Sequence, residues 1–100
     1  MRIVAMGGQA LVHGLNLAGV AGFEVEPGLG ADERFDRVAA DGEVAVIIVS
    51  RRLYTHLRDR IGRLRAAGPL PVVVPLPDRG EDLTPESVSS LLEDFLGVKV

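Results

Sequence analysis

The stretch Val44-Ala45-Val46-Ile47-Ile48-Val49 decides the fold, because it is apolar at every position. A strand with one face in water alternates apolar and polar residues, whereas a strand buried on both faces is apolar throughout. Residues 3–6 (Ile-Val-Ala-Met) and 72–74 (Val-Val-Val) show the same continuous pattern. We therefore predict three buried strands in a sheet that is covered on both faces.

Between these strands, apolar residues recur three and four positions apart, as they do on one face of an α-helix. The three stripes are Leu11-Gly14-Leu15-Ala18, Phe35-Val38-Ala39 and Leu53-Leu57-Ile61-Leu64. Glycines at positions 19, 42 and 68 are predicted to end the three helices. Residues 23–26 (Phe-Glu-Val-Glu) alternate apolar and acidic side chains, which is typical of an exposed edge strand.

Alternating strands and helices predict parallel strands joined by right-handed crossovers. We therefore predict an α/β fold with a four-stranded parallel, flavodoxin-like sheet in the order 2-1-3-4 and a C-terminal amphipathic helix. Residues 1–76 form the Rossmann-like domain, 77–83 a polar connector, and 84–100 the C-terminal helix and tail. Ligands of such sheets bind beyond the carboxyl ends of the strands, so residues that follow the strands are the first candidates for chemistry.

Those positions lack the acids of a phosphoryl-accepting receiver domain. A receiver holds Mg²⁺ with paired acids after strand 1 and an aspartate after strand 3, and it places a lysine after strand 4. The corresponding residues here are Gly7-Gly8-Gln9, Ser50-Arg51-Arg52 and Leu76-Pro77-Asp78. None of the three positions supplies the required group, so the receiver interpretation fails.

Two other kinds of small-molecule site also lack parts. Gly7 and Gly8 could form a phosphate turn and Glu26 could contact a ribose, but the third glycine of a dinucleotide fingerprint is missing. A nucleophilic Ser50 would need His13 or His56 within about 3 Å. His13 lies off the apolar face of the first helix, and no spacing suggests metal ligands. We predict no catalytic, cofactor-binding or metal-binding residues, and we keep a flavodoxin-like small-molecule or phosphate-binding regulatory domain as the alternative.

Composition narrows the possible partners. The 100 residues include no cysteine, carry a formal net charge of −3 and contain no apolar run near the roughly 20 residues of a membrane span. The net charge disfavours nucleic acid as a partner. Six arginines nevertheless concentrate on the third predicted helix. They form either a solvated face or a contact with an acidic partner, since arginine pairs with carboxylates.

Four segments together resemble the F subunit of the V-type and A-type rotary ATPases. They are residues 14–20 (Gly-Leu-Asn-Leu-Ala-Gly-Val), 44–50 (Val-Ala-Val-Ile-Ile-Val-Ser), 71–77 (Pro-Val-Val-Val-Pro-Leu-Pro) and 96–100 (Leu-Gly-Val-Lys-Val). Leu15 stands where an aromatic residue is common in the family. Gly8 and Gln9 stand where an acidic residue often follows the first glycine.

The resemblance implies a non-catalytic subunit of the central stalk, without cofactors, in a V/A-type ATPase or ATP synthase that moves protons or sodium ions. Such a subunit is cytoplasmic and reaches the membrane only through the complex. It binds the D subunit, the coiled coil of the stalk, within the catalytic A/B ring, and its C-terminal helix modulates ATP hydrolysis. The predicted partner-binding residues are Asn16, Leu17, Gly19, Val20, Leu91, Leu92, Phe95 and Leu96.

Overall fold

A computed structural model describes residues 2–76. This part of the chain contains four strands and four helices. Strands and helices alternate except between β3 and β4, where two helices, α3 and α4, follow one another directly. In chain order the elements are β1 (Arg2–Gly7), α1 (Gln9–Leu17), β2 (Ala21–Glu24), α2 (Leu29–Ala40), β3 (Val44–Ser50), α3 (Arg51–His56), α4 (Arg58–Ala67) and β4 (Val72–Leu76). The predicted connector (77–83) and C-terminal helix (84–100) lie outside the described residues.

The four strands form one parallel sheet in the order β2-β1-β3-β4. Val4 of β1 pairs with Ala21 of β2 on one side and with Ile47 of β3 on the other. Ile47 pairs in turn with Val73 of β4. The predicted α/β class, the parallel pairing and the strand order are confirmed.

Both faces of the sheet are packed, which explains the continuous apolar strands. Val4 and Met6 of β1 belong to a core that includes Phe35 of α2 and residues of α3 and α4. Ala5, between them, belongs to a second core with Leu11 and Leu15 of α1. Because successive side chains of a strand point to opposite faces, α1 covers one face and the other three helices cover the opposite face.

The predicted third helix is divided at Leu57. This residue has ψ of 8°, away from the helical value, so α3 ends at His56 and α4 begins at Arg58. Leu57 remains 1% exposed, and Leu53 and Ile61 on either side are also buried. The apolar stripe is therefore confirmed, whereas the single continuous helix was wrong.

The edge strand is confirmed at the sheet edge, but it lies two residues earlier than predicted. It spans Ala21–Glu24 instead of residues 23–26. Gly22 pairs with Ala5, and a Cβ built on Gly22 would lie 3.0 Å from the Ala5 Cβ. This close approach of β1 and β2 requires a glycine, which the alternating pattern of the following residues does not reveal.

Candidate partner-binding surface

Helix α1 ends in a turn built entirely from backbone hydrogen bonds. The Gly19 N–H donates to the Asn16 carbonyl (3.0 Å), and the Val20 N–H donates to the Leu15 carbonyl (2.9 Å). Gly19 has φ of 88°, the left-handed conformation that glycine adopts without steric cost. This pattern is a Schellman motif, and it confirms the predicted role of Gly19 as a helix cap.

The four predicted partner-binding residues of this turn differ in their exposure. Leu17 is 73% exposed, more than the other exposed large apolar residues Leu70 (50%) and Phe23 (39%). Asn16 and Gly19 are also exposed. Val20 is half-buried against the core that contains Leu15, so it also contributes to the fold.

The second half of the predicted surface lies outside the described residues. It consists of the four apolar residues Leu91, Leu92, Phe95 and Leu96. Their contribution stays a prediction from the sequence, and the site described below comprises residues 2–76 only.

The turn lies at the edge of the sheet opposite to the usual ligand site. Helix α1 leaves the carboxyl end of β1 at Gly8 and returns to the start of β2 at Ala21. Leu17 therefore lies beside the amino ends of the strands. Small ligands of open α/β sheets bind at the carboxyl ends, so an exposed leucine at the amino edge favours a protein partner.

At the carboxyl edge, the residues considered for chemistry have structural roles. A Cβ on Gly7 would lie 2.8 Å from Leu11 Cδ2, so this glycine allows α1 to pack closely against β1. The Ser50 hydroxyl is buried and accepts a hydrogen bond from the Leu53 N–H at 3.2 Å. Ser50 is thus the N-cap of α3, and its oxygen satisfies a backbone donor.

A small cavity at this edge fits the phosphate-binding alternative poorly. Its volume is about 180 Å³, below the range of about 300–1,000 Å³ of pockets that bury larger ligands such as nucleotides or flavins. Gly8, Gln9, Glu26, Ser50 and Arg52 contribute to its lining. The Glu26 carboxylate would repel a phosphate, and Glu26 already lies 4.0 Å from the guanidinium of Arg52.

Among the residues that the structure describes, the contacts of the two histidines do not form a catalytic set. His13 is exposed on α1. His56 Nε2 lies 2.9 Å from Asp32 Oδ1 and 3.3 Å from the Gly28 carbonyl oxygen. These contacts tie α3 to the start of α2, while Ser50 is occupied as a helix cap. Within residues 2–76, no three potential metal ligands come together.

Asp32 also belongs to an ion-pair cluster between α2 and α4 that the sequence did not predict. Arg60 Nε lies 3.7 Å from Asp32 Oδ1, and Arg60 Nη1 donates a hydrogen bond to Asp36. This hydrogen bond from the guanidinium to Asp36 raises the pKa of Arg60 above its usual value. The four-residue spacing of the two acids places them on one side of α2, but it does not identify the facing helix.

Two further apolar side chains are exposed on the described surface. Leu70, just before β4, is 50% exposed. Phe23 on the edge strand is 39% exposed and lies under the guanidinium of Arg34, 4.8 Å from its ring centroid. The guanidinium covers part of the Phe23 ring through this cation–π contact, so Leu17 is the apolar side chain that is more accessible to a partner.

The fold and the site define the class of this protein. It is an α/β module with an exposed apolar turn, and the residues at its carboxyl edge have structural roles. Residues 3–94 match the family model of the ATP synthase F/14-kDa subunit, and the chain belongs to this family. It is accordingly a central-stalk component of a V/A-type rotary ATPase, as the resemblance implied. No curated protein matches the sequence significantly. Across residues 2–76, no helix has the length and apolar character needed to cross a membrane.

Proposed function

We propose that this chain is a non-catalytic rotor component that binds the coiled-coil D subunit of the stalk and turns with it within the A/B ring. The carrying observation is Leu17, a large apolar side chain that is 73% exposed at the hydrogen-bonded end of α1. The fold leaves this side chain in water, so its burial against a partner would favour association. Because the chain belongs to the F/14-kDa family, we expect the partner at this contact to be another subunit of the ATP synthase complex.

The geometry of the turn suits a helical partner. Gly19 projects no side chain, and no atom beyond Gly19 itself and its two chain neighbours lies within 4 Å of the position that its Cβ would take. A partner backbone can therefore approach the turn closely. Burial of an exposed leucine side chain contributes about 1.5–3 kcal/mol to association, before the costs of ordering are subtracted. In this proposal Asn16 lies beside Leu17 and adds a polar contact, and Val20 supports the turn from below.

The described residues also support the non-catalytic part of the proposal. Ser50 caps a helix, and His56 pairs with Asp32. A nucleophile would need an adjacent base that is oriented by a third group. We therefore assign ATP hydrolysis or synthesis to other subunits of the complex. The place of this chain on the cytoplasmic side is part of the same proposal and rests on the family.

The test is capture of the co-expressed D subunit by the Leu17→Asp variant. Leu70→Asp is the matched control, since Leu70 is also exposed but lies beside β4, at the far end of the sheet from β2. We expect the Leu17 variant to lose most of the captured partner and the Leu70 variant to retain it. Circular dichroism and thermal unfolding establish that both variants are folded.

Equal capture by folded Leu17→Asp and wild-type protein would contradict this placement of the stalk contact. Loss of capture in both variants would show that a general apolar effect, and not the α1 turn, determines binding. Failure of the wild-type chain to capture any heptad-patterned partner would contradict the proposed function itself.

A second part of the proposal concerns residues 84–96, for which the sequence predicts an amphipathic helix. We propose that this segment modulates ATP hydrolysis through Leu91, Leu92, Phe95 and Leu96. Hydrogen exchange on the isolated chain provides a test, because exchange reports the free energy of local opening. We expect less protection in 84–96 than in β3, and equal protection would argue against a detachable helix.

A further inference from the structure

Positive charge is concentrated on α3 and α4 of an otherwise acidic protein. Residues 51–67 contain six arginines and a single acidic residue, Asp59, while the whole chain has a formal net charge of −3. A local excess of one charge sign raises the concentration of oppositely charged partners near that surface. An arginine contributes most to this attraction when no carboxylate of the protein itself pairs with it.

Two of the six arginines already have partners. Arg60 pairs with Asp32 and Asp36 of α2, and Arg52 lies 4.0 Å from Glu26. The other four are exposed and lack a carboxylate within 4.0 Å among residues 2–76. Three of them recur every seven residues, namely Arg51, Arg58 and Arg65, and we call these three the arginine stripe.

The stripe follows one side of the helical layer. Arg58 and Arg65 lie seven residues apart on α4, about 10.5 Å along the helix axis and on the same side. Arg65 Nη2 lies 3.4 Å from the hydroxyl oxygen of Tyr54, which places this α3 residue beside the stripe. Arg60 faces α2, so the stripe lies on the side of the layer that points away from α2.

An apolar cavity adjoins the end of the stripe. Its volume is about 200 Å³, and Arg65 stands among apolar lining residues that include Ile61, Leu64, Pro69 and Val72. A cavity of this size accommodates an aliphatic side chain of a partner. Arginine and tyrosine beside an apolar pocket are the residue types that carry most of the binding energy in protein interfaces.

We propose that the arginine stripe and this cavity bind an acidic α-helix of a protein partner. Carboxylates two turns apart on that helix would pair with Arg58 and Arg65, whose spacing is also two helical turns. An apolar side chain of the same helix would enter the cavity. The surface belongs to α3 and α4, on the opposite face of the sheet from α1, so this contact is separate from the stalk contact at Leu17.

The experiment measures binding of the full chain to a designed helical peptide by fluorescence anisotropy. The peptide carries two glutamates seven residues apart with a leucine between them, and a scrambled peptide has the same composition. The variants are R58E and the double variant R58E/R65E. The matched control for R58E is R63E, because Arg63 is exposed on the same helix and its substitution changes the net charge by the same amount as R58E.

We expect saturable binding that weakens with added salt. The double variant should weaken it about tenfold or more, because each reversal removes an attraction and adds a repulsion. R63E should change it less than about twofold. The L17D variant should bind the peptide normally, and R58E/R65E should still capture the stalk coiled coil, so failure of this proposal and failure of the stalk proposal are distinguishable.

Several outcomes would overturn the proposal. Equal loss in R63E and R58E, or equal binding of the scrambled peptide, would show non-specific attraction to a basic surface. Absence of peptide binding would exclude an acidic helix as the occupant. Stripe-dependent binding to phosphatidylglycerol vesicles without peptide binding would assign the surface to anionic lipid instead.

Discussion

Gly7 and Ser50 lie so close at the carboxyl edge of the sheet that a Cβ on Gly7 would be 3.1 Å from Ser50 Cβ. The same Cβ would lie 2.8 Å from Leu11 Cδ2 and 3.4 Å from the Ser50 backbone nitrogen. The leucine side chain can move, whereas the β3 backbone cannot. The ends of β1 and β3 can therefore approach this closely only because residue 7 is a glycine without a Cβ.

We therefore expect Gly7→Ala to lower the free energy of unfolding by about 1–3 kcal/mol, the usual cost of overpacking. Denaturant unfolding measures this change. Gly62→Ala is the control, since Gly62 lies within α4 with open space around it and should gain up to about 1 kcal/mol. Unchanged stability of Gly7→Ala would mean that the strand ends separate easily.

A second prediction concerns the left-handed conformation of Gly19. Gly19→Ala should lower the free energy of unfolding by about 1–2 kcal/mol, because φ of 88° places an alanine Cβ against its own backbone. Gly19→Asn should lose less, since asparagine tolerates this conformation better. Thermal unfolding of both variants measures the difference, and equal losses would contradict a conformational cause.

Ser50 offers a test of the structural role against the chemical one. Ser50→Ala should lower the free energy of unfolding by about 0.5–2 kcal/mol through loss of the α3 cap. Titration of wild-type and variant protein with nucleotides, flavin or acetyl phosphate in the presence of Mg²⁺ should show no saturable binding. Saturable binding that Ser50→Ala abolishes would support the phosphate-binding alternative and argue against our assignment.

The Asp32 cluster should contribute to stability beyond a simple effect of charge. We expect Asp32→Ala to destabilise the fold by about 1 kcal/mol, because Asp32 contacts both His56 and Arg60. Asp59→Ala is the matched control. Asp59 also lies in the first turn of its helix, where an acid is favourable. An equal loss in both variants would assign the effect to helix ends alone.

The raised pKa of Arg60 predicts how the stability of the fold depends on pH under alkaline conditions. A group whose pKa is raised by folding contributes stability that is fully present below its unfolded pKa and is lost only above it. The difference in melting temperature between wild type and Arg60→Gln should therefore stay constant from about pH 8 to pH 10. A difference that disappears within this interval would contradict a charged pair with Asp36.

The sequence predicted the sheet well, because burial on both faces leaves a clear pattern. The continuous apolar runs of β1, β3 and β4 indicate strands that are covered on both faces, and their alternation with helical stripes predicts the parallel pairing. The break at Leu57 was missed because Leu53, Leu57 and Ile61 keep the same spacing on either side of it. The shift of β2 was missed because the contact between Gly22 and Ala5 joins residues that are distant in sequence.

Some features of the candidate site were also predictable from the sequence, and others were not. Gly19 was recognisable as a cap, since a glycine after an apolar helical stripe has a local role that sequence reveals. The exposure of Leu17 depends on how α1 rotates on the sheet, which only packing decides. The pairing of Arg60 with Asp32 and Asp36 likewise depends on which helices are neighbours, and no periodicity contains that information.

The Schellman turn at the end of α1 has a consequence for how this protein can diverge. Its hydrogen bonds join backbone atoms of Leu15, Asn16, Gly19 and Val20, and the side chain of Leu17 points into solvent. Selection can therefore exchange residue 17 while the domain keeps its folding free energy. Under the proposed stalk contact, exchange of residue 17 would change the preference for a partner without changing the fold, which offers a route to engineered orthogonal pairs.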